Sequence, residues 1–159
     1  MTKPPGTPRI PDCPLARAAG FIGDWSTLEL LHEVFDGHTH VEEIRGNLRT
    51  DADVLAARLD ALVARGVLKR PAGRRDHYEP TPLGHSLRPV LLTLAAWGNR
   101  ELAAAERGMI LVDTRTGEEV EPVVVDRATG RRVDTEAYAF APGPAASGAM
   151  RARFGRRSD

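Results

Sequence analysis

The sequence predicts a mainly α-helical protein with a small amount of β structure. Three observations carry that expectation. Apolar residues recur at spacings of three and four through most of the first hundred positions, the period of helices with one buried face. Those stretches are punctuated by Gly37, Gly66 and the pair Thr81-Pro82, which suit helix ends and a helix start. Between the helical stretches lies "VLKRPAGRRDHYEP", residues 67–80, whose extended segments flank a Pro- and Gly-bearing turn.

The elements follow in order. Pro14 suits the first helical position of a short helix over 14–21. A second helix spans 25–36, with Trp25, Leu28, Leu31 and Phe35 on one side, and Asp24, or Ser26 with Glu29, can cap its start. A short third helix covers 41–48 and turns Val41, Ile44 and Leu48 inward. Thr50 or Asp51 caps a fourth, over 51–65, whose buried face is Val54, Leu55, Leu59, Leu62 and Val63. After the hairpin, a helix over 82–105 carries Leu83, Leu87, Val90 or Leu91, Leu94, Trp97 and Leu102, and Pro89 should kink or divide it.

Helix, turn, helix and hairpin, α-α-α-α-β-β-α in all, is the winged helix-turn-helix layout. Net charge is zero over the 159 residues, but the local balance is uneven. Residues 54–75 hold one acid, Asp60, against Arg58, Arg65, Lys69, Arg70, Arg74 and Arg75. A basic hairpin behind a helix-turn-helix pattern is placed to reach DNA phosphates, so Lys69, Arg70, Arg74 and Arg75 are the candidate wing contacts.

The stretches "CPLARAAGFIGDWSTLELLHEVFDG", "VLAARLDALVARGVLKR" and "HYEPTPLGHSLRPVLLTLAAWG" occur in that order over residues 13–105. They resemble the opening, the recognition helix with the first wing strand, and the second wing strand with the long helix of the HxlR-type, MarR-like transcriptional regulators. The resemblance implies a homodimer on a palindromic operator, with the first and last helices forming the dimer interface. Leu15, Leu87, Leu91, Leu94 and Trp97 fall at those positions. It also implies a recognition helix and preceding loop that touch DNA, here Arg49, Thr50, Ala52, Ala56 and Arg58. The chain departs from the family pattern at Asp51, Ala52 and Asp53, where Ser-Pro-(Lys or Arg) is usual, and at Ala56 and Ala57, where polar side chains would read base edges. Specificity then rests on the wing and on DNA shape, or DNA binding is weak.

Cys13 precedes a helix N-terminus, where a thiolate is favoured, and the matching cysteine is a redox switch in some members. A small apolar filler is the competing role. His32, His38 and His40 stand among acids, but their separation across a helix and a turn makes solvated histidines the simpler reading, and no metal or cofactor is expected. No nucleophile-base set and no phosphate-binding glycine loop is visible, so the chain is not read as an enzyme. No apolar run approaches the ~20 residues of a membrane span, and the expected location is the cytoplasm, at the nucleoid.

The "VDTRTGEEV" and "VDRATGRRV" stretches echo each other thirteen residues apart, as a pair of β-hairpins would. The predicted organisation is a flexible arm over 1–12, a DNA-binding and dimerisation domain over 13–106, a small C-terminal β appendage over 107–141 and a flexible tail over 142–159. Two functions compete. One is a homodimeric regulator of double-stranded DNA, open to a redox or small-ligand effector. The other is a winged-helix adaptor, for protein or ligand, that has lost strong DNA binding. Asp51 and Asp53 favour the second, and the four wing cations favour the first.

Overall fold

The computed structural model describes Ile10 and residues 12–155. The chain divides into two compact units, Ser26–Arg132 and a unit made from the two chain ends, up to Trp25 and from Val133 onward. The helix-turn-helix and the hairpin belong to the larger unit.

That unit begins with helix α2, Trp25–Phe35, after α1, Pro14–Ile22, of the other unit. Helices α3, Val41–Leu48, and α4, Ala52–Ala64, follow, then strands β1, Leu68–Lys69, and β2, Glu79–Pro80. Leu30, Leu31 and Val34 of α2 are buried with Ile44 of α3 and Leu55, Leu59 and Leu62 of α4. Val67, Leu68 and Tyr78 join the buried set from the hairpin. Each such aliphatic side chain contributes about 1.5–3 kcal/mol over its exposed state. The 3.6-residue period predicts Leu31, Ile44, Leu55, Leu59 and Leu62 of this core but not Leu30 and Val34 of α2. Trp25 is 71% exposed and Val54 42%, so both lie off the buried stripes they were expected to complete.

The turns follow from local chemistry. Gly37 closes α2 at φ 99° and Gly66 follows α4 at φ 71°, both in the left-handed region that favours glycine. Asp51, not Thr50, is the N-cap residue of α4, without a side-chain capping bond. His40 caps α3 by accepting from the Glu42 N–H at 3.3 Å, a cap the sequence reading missed.

Strands β1 and β2 pair antiparallel, Leu68 with Pro80 and Lys69 with Glu79. A third segment adds to them. The Tyr78 N–H donates to the Thr39 carbonyl and the Val41 N–H to the Asp76 carbonyl, both at 2.9 Å, about a His40–His77 bridge. Thr81 then ends the hairpin. Its hydroxyl donates to the Gly66 carbonyl at 2.5 Å and accepts from the Gly84 N–H at 3.1 Å, and its own N–H donates to the Val67 carbonyl at 2.9 Å.

The helix expected over 82–105 is two shorter ones, α5, Pro82–His85, and α6, Arg88–Gly98, with Pro89 in the first turn of α6. Proline divides the segment because it lacks the N–H that would continue the ladder. Beyond α6 only a 3₁₀ turn, Ala104–Glu106, is helical before residue 107. The echoed stretches form two small turns rather than full hairpins, each with one bridge, Val112–Glu119 and Val125–Arg132. Asp113 accepts from the Arg115 backbone and guanidinium, and Asp126 from the Ala128 N–H and the Thr129 hydroxyl, so each aspartate organises its own turn.

In the smaller unit, residues expected as a flexible tail form helix α7, Gly148–Phe154, with Met150 buried. Ser147 caps it by accepting from the Met150 N–H at 3.2 Å. Asp12 in turn accepts from the Ser147 N–H at 2.7 Å and hydroxyl at 2.8 Å. The rest of the arm expected over 1–12, apart from Ile10, lies outside the described residues, as do 156–159.

Those two bonds from Ser147 are the main reason the Asp12 pKa is lowered from its ordinary value. A depressed carboxylate stabilises the folded state above the unfolded pKa, and the contribution is lost as pH falls through the lower folded value. Asp12→Ala is therefore expected to speed amide exchange over residues 147–151 at neutral pH, with the difference from wild type closing in acid. Exchange that is the same in both proteins at neutral pH would show that the tie does not hold α7.

Candidate nucleic-acid interface

The wing runs from Lys69 to Glu79 and turns through Pro71–Asp76, with Gly73 at φ 74° and the Arg74 N–H donating to the Pro71 carbonyl at 3.1 Å. Its four cations fall into two classes. Lys69 Nζ lies 3.4 Å from its cross-strand partner Glu79. The Arg70 guanidinium pairs with Asp60 of α4, donates to the Tyr78 hydroxyl at 2.9 Å and lies 5.0 Å from the Tyr78 ring centre. Asp60 first, then the Tyr78 hydroxyl, holds the Arg70 pKa above the ordinary guanidinium value. Arg70 thus pins the base of the wing to the outward side of α4.

Arg74 and Arg75 occupy the tip. Both are exposed, and no side chain among the described residues bonds or pairs with either. The wing cations that no described side chain engages are therefore the two at its end, ahead of Asp76.

The turn between α3 and α4 carries Arg49 and Thr50. Arg49 adopts φ 49°, a left-handed conformation, and its N–H donates to the Arg45 carbonyl. A residue with a Cβ is held there at a cost of about 1–2 kcal/mol. Arg49 is exposed, Thr50 half-buried, and Ala52 and Ala56 lie exposed along α4 with Ala57. Arg58 is half-buried and engaged within the chain. Asp51 and Asp53 are exposed at the N-terminus of α4, where the helix dipole favours carboxylates.

The proposed dimer contacts are largely uncovered. Leu15 is 64% exposed, Leu94 44% and Trp97 70%, whereas Leu87 and Leu91 are half-buried, and α6 has no buried residue. A groove of about 730 Å³ runs between α6 and residues 107–122, floored by Leu91, Leu92, Met109 and Leu111 and edged by Arg88 and Arg100.

Cys13 is the N-cap residue of α1, half-buried, with its carbonyl accepting from the Arg17 N–H at 3.0 Å. The histidines do not converge. His32 pairs with Asp36 at 3.2 Å, His38 with Glu43 at 2.7 Å, and His40 caps α3 and meets His77 edge to face. The Glu43 carboxylate is the main reason the His38 pKa is raised. Among the described residues no group of three His, Cys, Asp or Glu is placed to hold a metal. No helix among them is long and apolar enough to cross a membrane.

The HxlR-like helix-turn-helix family matches residues 21–106, slightly more than half of the chain. An uncharacterised HTH-type transcriptional regulator of Mycobacterium tuberculosis is 27% identical over 135 residues, 82% of this chain and 85% of its own length. A Pseudomonas aeruginosa protein, solved as a candidate transcription factor, is 34% identical and superposes with a TM-score of 0.65 over 89% of this chain and 99% of its own. A second solved candidate transcription factor is 29% identical, with a TM-score of 0.70 over 82% of this chain and 94% of its own.

Proposed function

The chain belongs to the HxlR-like helix-turn-helix family, a family of regulators and not of enzymes, and from that membership we propose that it is a transcriptional regulator binding a pseudo-palindromic DNA site as a homodimer. The observation that carries the reading is the unpartnered pair Arg74 and Arg75 at the tip of a wing whose base Arg70 fixes to α4. Arg49 supports it. A guanidinium kept at a backbone position that glycine would occupy more easily is one held for its side chain. Arg74, Arg75 and Arg49 then meet phosphates, while Lys69 and Arg70 shape the wing. Ala52 and Ala56 give α4 a methyl-bearing surface suited to thymine methyl groups. A second copy covers Leu94 and Trp97 of α6, and Leu15 of α1. The groove beside α6 is where a small-molecule effector would act, and Cys13 is the candidate for an oxidant.

Selecting duplexes from a random pool at low salt tests this. The expected product is a two-fold symmetric, A·T-rich site with half-sites about one helical turn, ~10 bp, apart. The adaptor reading is favoured by the exposed Asp51 and Asp53 beside the groove-entering end of α4. It would be upheld if no duplex were enriched.

A further inference from the structure

The stretch linking the two small turns, Glu121-Pro-Val-Val-Val-Asp126, carries one β-bridge, at Val125, and leaves its other edge open, and Arg127 begins the second turn. Val123, Val124 and Val125 are 43%, 51% and 46% exposed, a run of β-branched residues with nothing over it. Backbone direction is fixed at both ends. The Val120 N–H donates to the Leu111 carbonyl and the Asp126 N–H to the Arg131 carbonyl, each at 2.9 Å, so both face their own turns. Because an extended chain alternates with period two, the N–H groups of Glu121, Val123 and Val125 face away. No hydrogen bond among the described residues engages them. Pro122 falls in the inward phase, so the missing donor costs the outward ladder nothing.

We propose that residues 122–126 pair antiparallel with the same residues of a second copy, about a two-fold axis at Val124. The segment is complementary to itself in this register. Val123 lies opposite the partner's Val125, and Arg127, the first residue of the second turn, comes beside the partner's Glu121, at both ends. Neither Glu121 nor Arg127 has an ion-pair partner among the described residues. Moving the axis to Val123 or Val125 separates Glu121 from Arg127. Exposed edges of this kind recruit another strand unless a charge or bulge opposes it, and here the end charges attract. The proposal rests on the homodimer reading and assigns it an interface outside the helices.

In this register the two Val124 residues form the non-hydrogen-bonded pair, with Cα atoms about 4.5 Å apart, within disulfide reach. Residue 123 and its own copy are diagonal, about 7–8 Å apart, and are not. In a Cys13→Ser background, V124C is expected to give a reductant-sensitive covalent dimer under mild oxidation, and V123C essentially none. Mixing E121R with R127E should also restore association that each variant loses alone, since only the mixed pair matches charges at both ends. A wild-type chain that sediments as a dimer, with V124C no better crosslinked than V123C, overturns this pairing and leaves the homodimer standing. A wild-type chain that is monomeric at micromolar concentration overturns both.

Discussion

Replacing Arg74 and Arg75 together with glutamate is expected to abolish high-affinity DNA binding and to leave the fold intact. The fold should survive because neither side chain is bonded to another among the described residues, and both are exposed. The turn beneath them is held by backbone bonds and by Gly73. Each phosphate contact contributes a slope of about 0.9 to the logarithmic dependence of affinity on salt. If the proposed dimer uses Arg49, Arg74 and Arg75 of each subunit, about six contacts are made, and raising salt from about 50 to about 200 mM should cost roughly a thousandfold. Removing the wing tips leaves about two contacts, so the same salt change should cost only about tenfold. At about 100 mM salt the variant's affinity should fall on the order of a thousandfold. Fluorescence anisotropy on the selected duplex, across a salt series, measures both quantities. A variant with unchanged affinity and an unchanged slope removes the wing from the interface. R70E is a contrasting control, since it breaks the Asp60 pair and should lower stability as well as binding.

The contrast between Arg70 and Arg74 marks how far the sequence could be read. Both appeared as one basic cluster because local composition is blind to partners ten residues upstream, and Asp60 is such a partner. What was legible was local. Gly37, Gly66, Thr81-Pro82 and Pro89 act within a turn of themselves, and the element order followed from them. The strand-like segment at Thr39–Val41 was missed, since its only β signal is the pairing with Asp76–Tyr78, far along the chain. Periodicity placed Trp25 on the buried side of α2, where Leu30, Leu31 and Val34 are buried instead, and on α6 it marked an apolar side that leaves Trp97 exposed. Helix α7 was hidden by a Pro-, Gly- and Ala-rich neighbourhood. Ser147 was its one local signal, and the acid that fixes it, Asp12, lies at the other end of the chain. Of the candidate site, the wing and the recognition-helix turn could be named in advance. The division of the cations into structural and free could not.

The junction between wing and α5 gives the second large effect. A Cβ added to Gly84 would sit 2.2 Å from the Val67 carbonyl oxygen, well inside contact distance. That oxygen cannot retreat freely, because it accepts from the Thr81 N–H at 2.9 Å. One term opposes the clash: alanine is favoured over glycine in a helix by about 1 kcal/mol, in part because it restricts the unfolded chain. Overpacking against a fixed backbone costs about 1–3 kcal/mol and occasionally more. Here it also loosens the bond that joins Thr81 to Val67, just ahead of β1, so the clash should win. Gly84→Ala is expected to destabilise by about 1–2 kcal/mol net, a fall in Tm of roughly 2–8 °C for a chain of this size. Gly46, on the exposed face of α3, has nothing within 4 Å of a built Cβ. Gly46→Ala should therefore go the other way, gaining about 1 kcal/mol. Urea unfolding of the two variants reads the opposite signs directly. If Gly84→Ala were as stable as Gly46→Ala, α5 would not be seated against Val67, and the wing would lack the rigid base that the proposed joint action of Arg74, Arg75 and α4 requires.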